Sequence, residues 1–184
     1  KLGGRDMSEI LDQISAGHQP TIDQYPLEAL LRFLIQASQC LAYAHDSGVV
    51  HRDMKPANIM IGDYGEVMVL DWGLAKVWDM DDNDDVDQLI RSGKQVMSGR
   101  LTGRGDVQGT PFYMSPEQAV ETADVDERSD IYSMGIILFE VLTGESYMSG
   151  KNFKEIKRKL LEAPVREPAR VAPKKKITPE LNAI

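Results

Sequence analysis

The stretch from Val49 to Gly73 constrains this chain more than any other. Val49-Val50 reads as a short buried strand leading into His51-Arg52-Asp53-Met54-Lys55-Pro56-Ala57-Asn58. After it, Ile59 and Ile61, then Val67 and Val69, alternate on either side of Gly62-Asp63-Tyr64-Gly65, the pattern of a β-hairpin. A hairpin returns the chain to its start, so Asn58 and Asp71, which flank it, are expected at adjacent strand ends. One aspartate, Asp53, can then sit at a reacting hydroxyl. The amide of Asn58 and the carboxylate of Asp71 offer hard oxygens of the kind that hold Mg²⁺.

Helical patterns surround this stretch. Met7, Ile10, Leu11 and Ile14 recur at helical spacing over Met7–Ile14. Ser15 to Tyr25, with Gly17 and Pro20, reads as a polar connection. Pro26 opens a helix to about Asp46 whose apolar face carries Leu27, Leu30, Leu31, Leu34, Ala37, Leu41 and Ala44. Cys40 is expected to pack within it, and His45 to serve its C-terminus as a cation or donor. Gly48 ends it. Asp126 to Asp130 supply caps for a centrally buried helix over Ile131–Leu142, stopped by Gly144. An amphipathic helix over Asn152–Glu162 buries Phe153, Ile156 and Leu160. Pro164, Pro168 and Pro173 predict an extended connection before a last helix begins at Pro179.

Charge is unevenly spread. The net charge is −8, and six aspartates crowd between Asp79 and Asp87. Lys151 to Lys176 holds ten Lys/Arg against three Glu. The overall acidity argues against a nucleic-acid binder. A calcium loop beginning at Asp79 fails, because its sixth position is Asp84 rather than Gly and its twelfth is Ile90 rather than Glu. Leu74 to Gln108 is otherwise irregular, and the aspartates read as a solvated loop. A single cysteine forms no internal disulfide, no apolar run approaches a membrane span, and no signal peptide opens the chain, so a cytoplasmic location is expected.

Further motifs follow in order: Gly109-Thr110-Pro111, Ser115-Pro116-Glu117, and Ser129-Asp130-Ile131-Tyr132-Ser133-Met134-Gly135. With Asp53, Asn58 and Asp71-Trp72-Gly73, this ordered set resembles the C-terminal lobe of bacterial-type Ser/Thr protein kinases. The resemblance implies a mainly α fold with a small β-hairpin around the catalytic loop. It further implies that residues 1–184 form a partial catalytic domain and that 71–117 form its activation segment. ATP and Mg²⁺ are the implied cofactors, and proteins with Ser/Thr acceptors the implied partners.

Residue roles follow from the same resemblance. Asp53 takes the acceptor hydroxyl's hydrogen bond and proton, and Lys55 places a cation beside the moving phosphoryl group. Asn58 and Asp71 hold the metal. Thr110 bridges Asp53 and Lys55. His51 and Trp72, the latter where the family usually has Phe before Gly73, connect the loop to the core. Asp130 accepts from the catalytic-loop backbone. Asp6 is a candidate ribose contact, and Met60 a candidate floor beneath adenine. Arg52 implies control by a phosphate in the activation segment, with Thr102 the preferred site and Ser98 the second.

The family's N-terminal lobe supplies a Gly-rich cover, a strand lysine and a helix glutamate, none of which is expected among these residues. Glu117 usually meets an arginine beyond Ile184, so its ion pair is expected to be lost and the uncovered apolar faces to self-associate. An isolated piece of this kind is expected to be inactive. A non-catalytic kinase-like module that binds partners is the alternative.

Overall fold

A computed structural model describes residues 3–77, 110–120 and 125–183. It begins with strand β1 (Arg5–Asp6) and helix α1 (Met7–Ser15), which Asp6 caps by accepting from the Glu9 N–H at 2.9 Å. Met7 and Ile10 are fully buried, and Leu11 and Ile14 pack at the margin.

The expected polar connection after it instead contains a helix, α2 (Gln19–Gln24). Pro20 lies in its first turn, where a missing N–H costs no hydrogen bond. Thr21 anchors the helix by donating to Gln13 at 2.6 Å and pairing with His18 Nδ1 at 2.8 Å.

Helix α3 runs Leu27–Asp46, with Pro26 as its N-cap. Leu30, Leu34, Ala37 and Leu41 form its buried stripe, whereas Leu27 is exposed. Cys40 is exposed as well, contrary to the packing expected of it. At 3.6 residues per turn it falls about a quarter turn off the stripe set by Ala37 and Leu41.

Strand β2 (Val49–Val50) follows, then β3 (Ile59–Ile61) and β4 (Val67–Val69). The hairpin β3–β4 pairs Ile59 with Val69 and Ile61 with Val67, and β1 adds antiparallel to β3. This three-stranded sheet has the order β1-β3-β4. A second antiparallel pair joins β2 to β5 (Lys76–Val77). Gly65, at φ 84, makes the hairpin turn that a side chain would strain.

The C-terminal part is helical: α4 (Pro116–Ala119), α5 (Glu127–Thr143), α6 (Phe153–Glu162), α7 (Pro168–Val171) and α8 (Pro179–Asn182). Helix α5 starts four residues before its apolar run, capped by Asp126, and ends at Gly144 with φ 74. It packs along α3, and Ile137 and Val141 join the stripe of α3 in the core. Burial is not all-round, because Ile131 is 62% exposed. Helix α7 lies where an extended connection was expected. Pro168, read as a breaker, occupies its first turn. Among the described residues no helix is long and apolar enough to cross a membrane.

Candidate active site

The loop between β2 and β3 is held from below by one carboxylate. Asp130, in the first turn of α5, is fully buried and accepts from three donors. Its Oδ1 takes the Arg52 N–H at 2.8 Å, and its Oδ2 takes the His51 N–H at 2.8 Å. His45 Nε2 also lies 2.8 Å from Oδ2. The end of α3 is thus tied to the start of α5, and His45, in the last turn of α3, is the donor expected there, its acceptor being a buried carboxylate. A buried carboxylate is tolerable when donors of this number surround it.

His51 is fully buried between the loop and Leu70, the residue just after β4. Its Nδ1 accepts from the Asp53 N–H at 3.2 Å, and its Nε2 lies 2.9 Å from the Leu70 carbonyl. Both bonds are satisfied by the neutral imidazole carrying its proton on Nε2. The Trp72 ring meets His51 edge-on at 4.6 Å and donates from Nε1 to the Val69 carbonyl at 3.0 Å. Those contacts fix Asp53 and Asp71 relative to one framework.

Asp53 is buried, with Lys55 Nζ at 2.6 Å from its Oδ2. The Asn58 amide donates to the Asp53 carbonyl at 2.7 Å, and the same nitrogen is 3.5 Å from Oδ2. Asn58 spends its N–H₂ inward, so no described protein donor meets its Oδ1. The Leu70 N–H donates to the Asn58 carbonyl at 2.8 Å, bringing the two ends of the hairpin together. Asp71 then turns at φ 62, a left-handed conformation uncommon outside glycine, and its carboxylate is exposed. A Cβ at Gly73 would stand 3.3 Å from Asp71 Oδ1, so glycine leaves that carboxylate room.

Arg52 also has positive φ, at 68. Its guanidinium reaches the Val125 carbonyl at 3.3 Å, and its buried Nε has no described partner. Burial lowers its pKa from the ordinary value, with the Asp130 carboxylate opposing. From the other side Gln118 Nε2 donates to the Arg52 carbonyl at 2.7 Å. Gln118 was not singled out from sequence, although Ser115-x-x-Gln118 is a legible capping box.

The segment 110–117 is pinned to α5. Ser133 donates to the Tyr113 carbonyl at 2.8 Å, Tyr113 donates to Glu140 at 2.8 Å, and Ser129 donates to Glu117 at 2.7 Å. Burial raises the pKa of both Tyr113 and Glu140, and their proximity raises that of Tyr113 further. Thr110 starts a 3₁₀ turn, Thr110–Phe112, but its side chain lies outside the described residues, as do Thr102, Ser98 and the acidic run 79–87. Asp6 and Met60 are cross-strand partners of β1 and β3, with Asp6 engaged as the cap of α1.

Residues 7–183 match the family model for the protein kinase domain. The chain is 39% identical over 152 residues to the serine/threonine-protein kinase PknD of Protochlamydia amoebophila, covering 81% of this chain and 15% of that protein. It is 37% identical over 155 residues to PknB of Mycolicibacterium smegmatis, covering 84% and 22%. It is also 36% identical over 140 residues to PknL of Mycobacterium tuberculosis, covering 76% and 30%. The chain thus spans less than a third of the length of these relatives. An ordered motif set and a matched family model agree: this chain belongs to the protein kinase domain family, among the bacterial Ser/Thr kinases.

Proposed function

We propose that these residues are the C-terminal lobe of a kinase that transfers the ATP γ-phosphoryl group to Ser/Thr hydroxyls. The observation that carries this reading is the buried Asp53 carboxylate, fixed by Lys55 and Asn58 beside a loop that His51 and Asp130 lock in place. Asp53 accepts the hydrogen bond of the acceptor hydroxyl, orients it, and takes its proton as the new P–O bond forms. Lys55 neutralises charge beside Asp53 and, with it, at the phosphoryl group.

The donor set fits Mg²⁺. Asn58 Oδ1 and the Asp71 carboxylate are hard oxygens without described protein donors. Two protein ligands suit an ion that completes its shell with nucleotide phosphates and water. When bound, that ion neutralises phosphate charge. Asp6 and Met60, paired across β1 and β3, are assigned to ribose and adenine. Arg52, with its buried unpaired Nε, is assigned to reading a phosphate in the activation segment, at Thr102 or Ser98, and Thr110 to bridging Asp53 and Lys55. The cover over the ATP phosphates is assigned to the N-terminal lobe of the complete kinase.

The decisive test is Asp53→Asn in the complete kinase. Loss of phosphoryl transfer with ATP binding retained supports the assignment. Transfer at the unaltered rate overturns it and favours a partner-binding module.

A further inference from the structure

The sheet β1-β3-β4 has two faces, and the phosphoryl-transfer chemistry uses one of them. Cross-strand partners share a face, so Asp6 and Met60 look one way while Arg5 and Ile61 look the other. On that second face lies a cavity of about 200 Å³, bounded by the hairpin, the end of α2 and the first half of α3. Tyr25 and Phe33, whose rings meet edge-on at 6.2 Å, line its apolar side. Elsewhere its wall is main chain, supplied by Gly4, Gly62 and Gly65. Gly4 lies so near β3 that a Cβ on it would stand 2.5 Å from the Ile61 carbonyl oxygen. An aromatic side and a peptide side suit a flat ring.

The polar groups of this cavity select the ligand. Arg5 donates from Nε to Glu9 at 3.1 Å, and its Cζ stands 5.7 Å from the Tyr25 ring centre. Its Nη2 is buried and has no partner among the described residues. A buried donor in that state is unfavourable until an acceptor reaches it. Asp63 also lines the cavity, with its exposed carboxylate lying along Gly3. Glu9 already balances the charge of Arg5, so an anion entering here would meet Asp63 without a spare cation. A cation would gain Asp63 and leave Nη2 unanswered. A neutral group with an acceptor beside a donor satisfies both, its C=O taking Arg5 Nη2 and its N–H₂ giving to Asp63.

We propose that this cavity is a binding site for a small aromatic carboxamide, on the face of β1 and β3 turned away from Met60. The ring packs against Tyr25 and Phe33, and the amide bridges Arg5 and Asp63. A concave site with an apolar wall and a few convergent polar groups is the usual form of a small-ligand pocket. The site goes beyond the phosphoryl-transfer reading and does not depend on it, since neither Asp53 nor the metal ligands take part.

The test titrates benzamide into the nitrogen-15-labelled chain and follows amide shifts by NMR. Benzamide should bind saturably with a millimolar Kd, ordinary for so small a ligand, and shift the amides of Gly4, Gly62 and Gly65. Benzoate, negative and without an N–H, should bind about tenfold more weakly. Arg5→Lys keeps the charge without Nη2 and should weaken benzamide by about tenfold. Gln24→Trp, which puts an indole where Gln24 lines the cavity, should weaken it as well. Asp63→Asn should weaken benzamide and strengthen benzoate, reversing their order. If circular dichroism shows Arg5→Lys unfolded, the exposed Asp63→Asn alone decides. The absence of a saturable shift at the solubility limit overturns the proposal, as does equal affinity for benzamide and benzoate. Shifts at Met60 and Asp71 without the three glycines overturn it by placing the probe on the other face. In the complete kinase the same order of affinities is expected. Binding to the chain that vanishes there overturns the proposal, because the cavity is then filled by the kinase itself.

Discussion

Gln118 Nε2 donates a 2.7 Å hydrogen bond to the carbonyl of Arg52, 66 residues earlier. Arg52 is held in a left-handed conformation, and its two peptide groups are anchored from opposite sides, the N–H by Asp130 and the carbonyl by Gln118. Positive φ in a branched-chain-free but bulky residue costs energy that surrounding contacts must offset. The segment 115–118 and the loop 51–58 are thereby one mechanical unit.

Replacing Gln118 separates the two jobs of that side chain. Gln118→Glu retains an oxygen for the Ser115 N–H, now 3.0 Å away, but has no N–H for the Arg52 carbonyl. It is expected to cost about 1–2 kcal/mol, and Gln118→Ala more, because the capping box goes too. Urea midpoints of the two variants check the order. In the complete kinase, kcat is expected to fall more than KM rises.

Asp130 allows a sharper experiment. Asp130→Asn leaves one oxygen to accept and turns an N–H₂ toward a donor, so a buried peptide N–H of His51 or Arg52 loses its partner. The expected cost is about 1–3 kcal/mol. His45→Ala should cost measurably in the original chain and much less in the Asp130→Asn background, because the bond it removes is already weakened there. A double-mutant cycle by chemical denaturation measures that coupling, and additivity of the two changes would refute the link between α3 and α5.

The hairpin β3–β4 and the helices α1, α3 and α5 are written in local patterns: alternation around Gly62–Gly65, apolar spacing on α3, and Gly144 as a stop. Asp53, Asn58 and Asp71 are legible for the same reason, since a short hairpin fixes their relation. What local pattern cannot carry is a bond between distant residues. His45 and Asp130 are 85 positions apart, and neither residue announces the other. The same holds for Tyr113 and Glu140, 27 apart. Cys40 and Ile131 are exposed against expectation, because an apolar residue in a helix shows its type but not which side meets a neighbour. Pro20 and Pro168 suggest breaks in the sequence, yet both stand in a helix's first turn, which accepts proline without loss.

Magnesium dependence should follow from the hairpin ends. In the complete kinase, Asp71→Asn is expected to raise the Mg²⁺ concentration needed for ATP turnover by about tenfold or more. Asn58→Asp keeps a hard oxygen but gives up the 2.7 Å bond to the Asp53 carbonyl, so it should lower kcat with a smaller change in Mg²⁺ requirement. Mg²⁺ titrations of initial rate, with calorimetry of ATP binding alongside, distinguish the two patterns.

Glu140 gives stability a pH dependence whose sign is fixed. Burial raises its pKa above the ordinary 4.5, against the hydrogen bonds from Tyr113 and Ser146 that favour the ionised form. A carboxyl with a raised folded pKa makes its contribution fully below the unfolded value. That contribution is lost as pH climbs through the folded one, because the unfolded chain releases the proton first. Stability of the original chain should therefore fall with rising pH from about the ordinary carboxylate range up to the raised Glu140 pKa, relative to Glu140→Gln. The glutamine can still accept from Tyr113, now at 2.8 Å from Glu140, and carries no charge to desolvate. Urea midpoints of the two proteins across that window should diverge, the glutamine variant gaining as pH rises. Parallel curves would mean that Glu140 meets water more freely than its packing against Tyr113 implies.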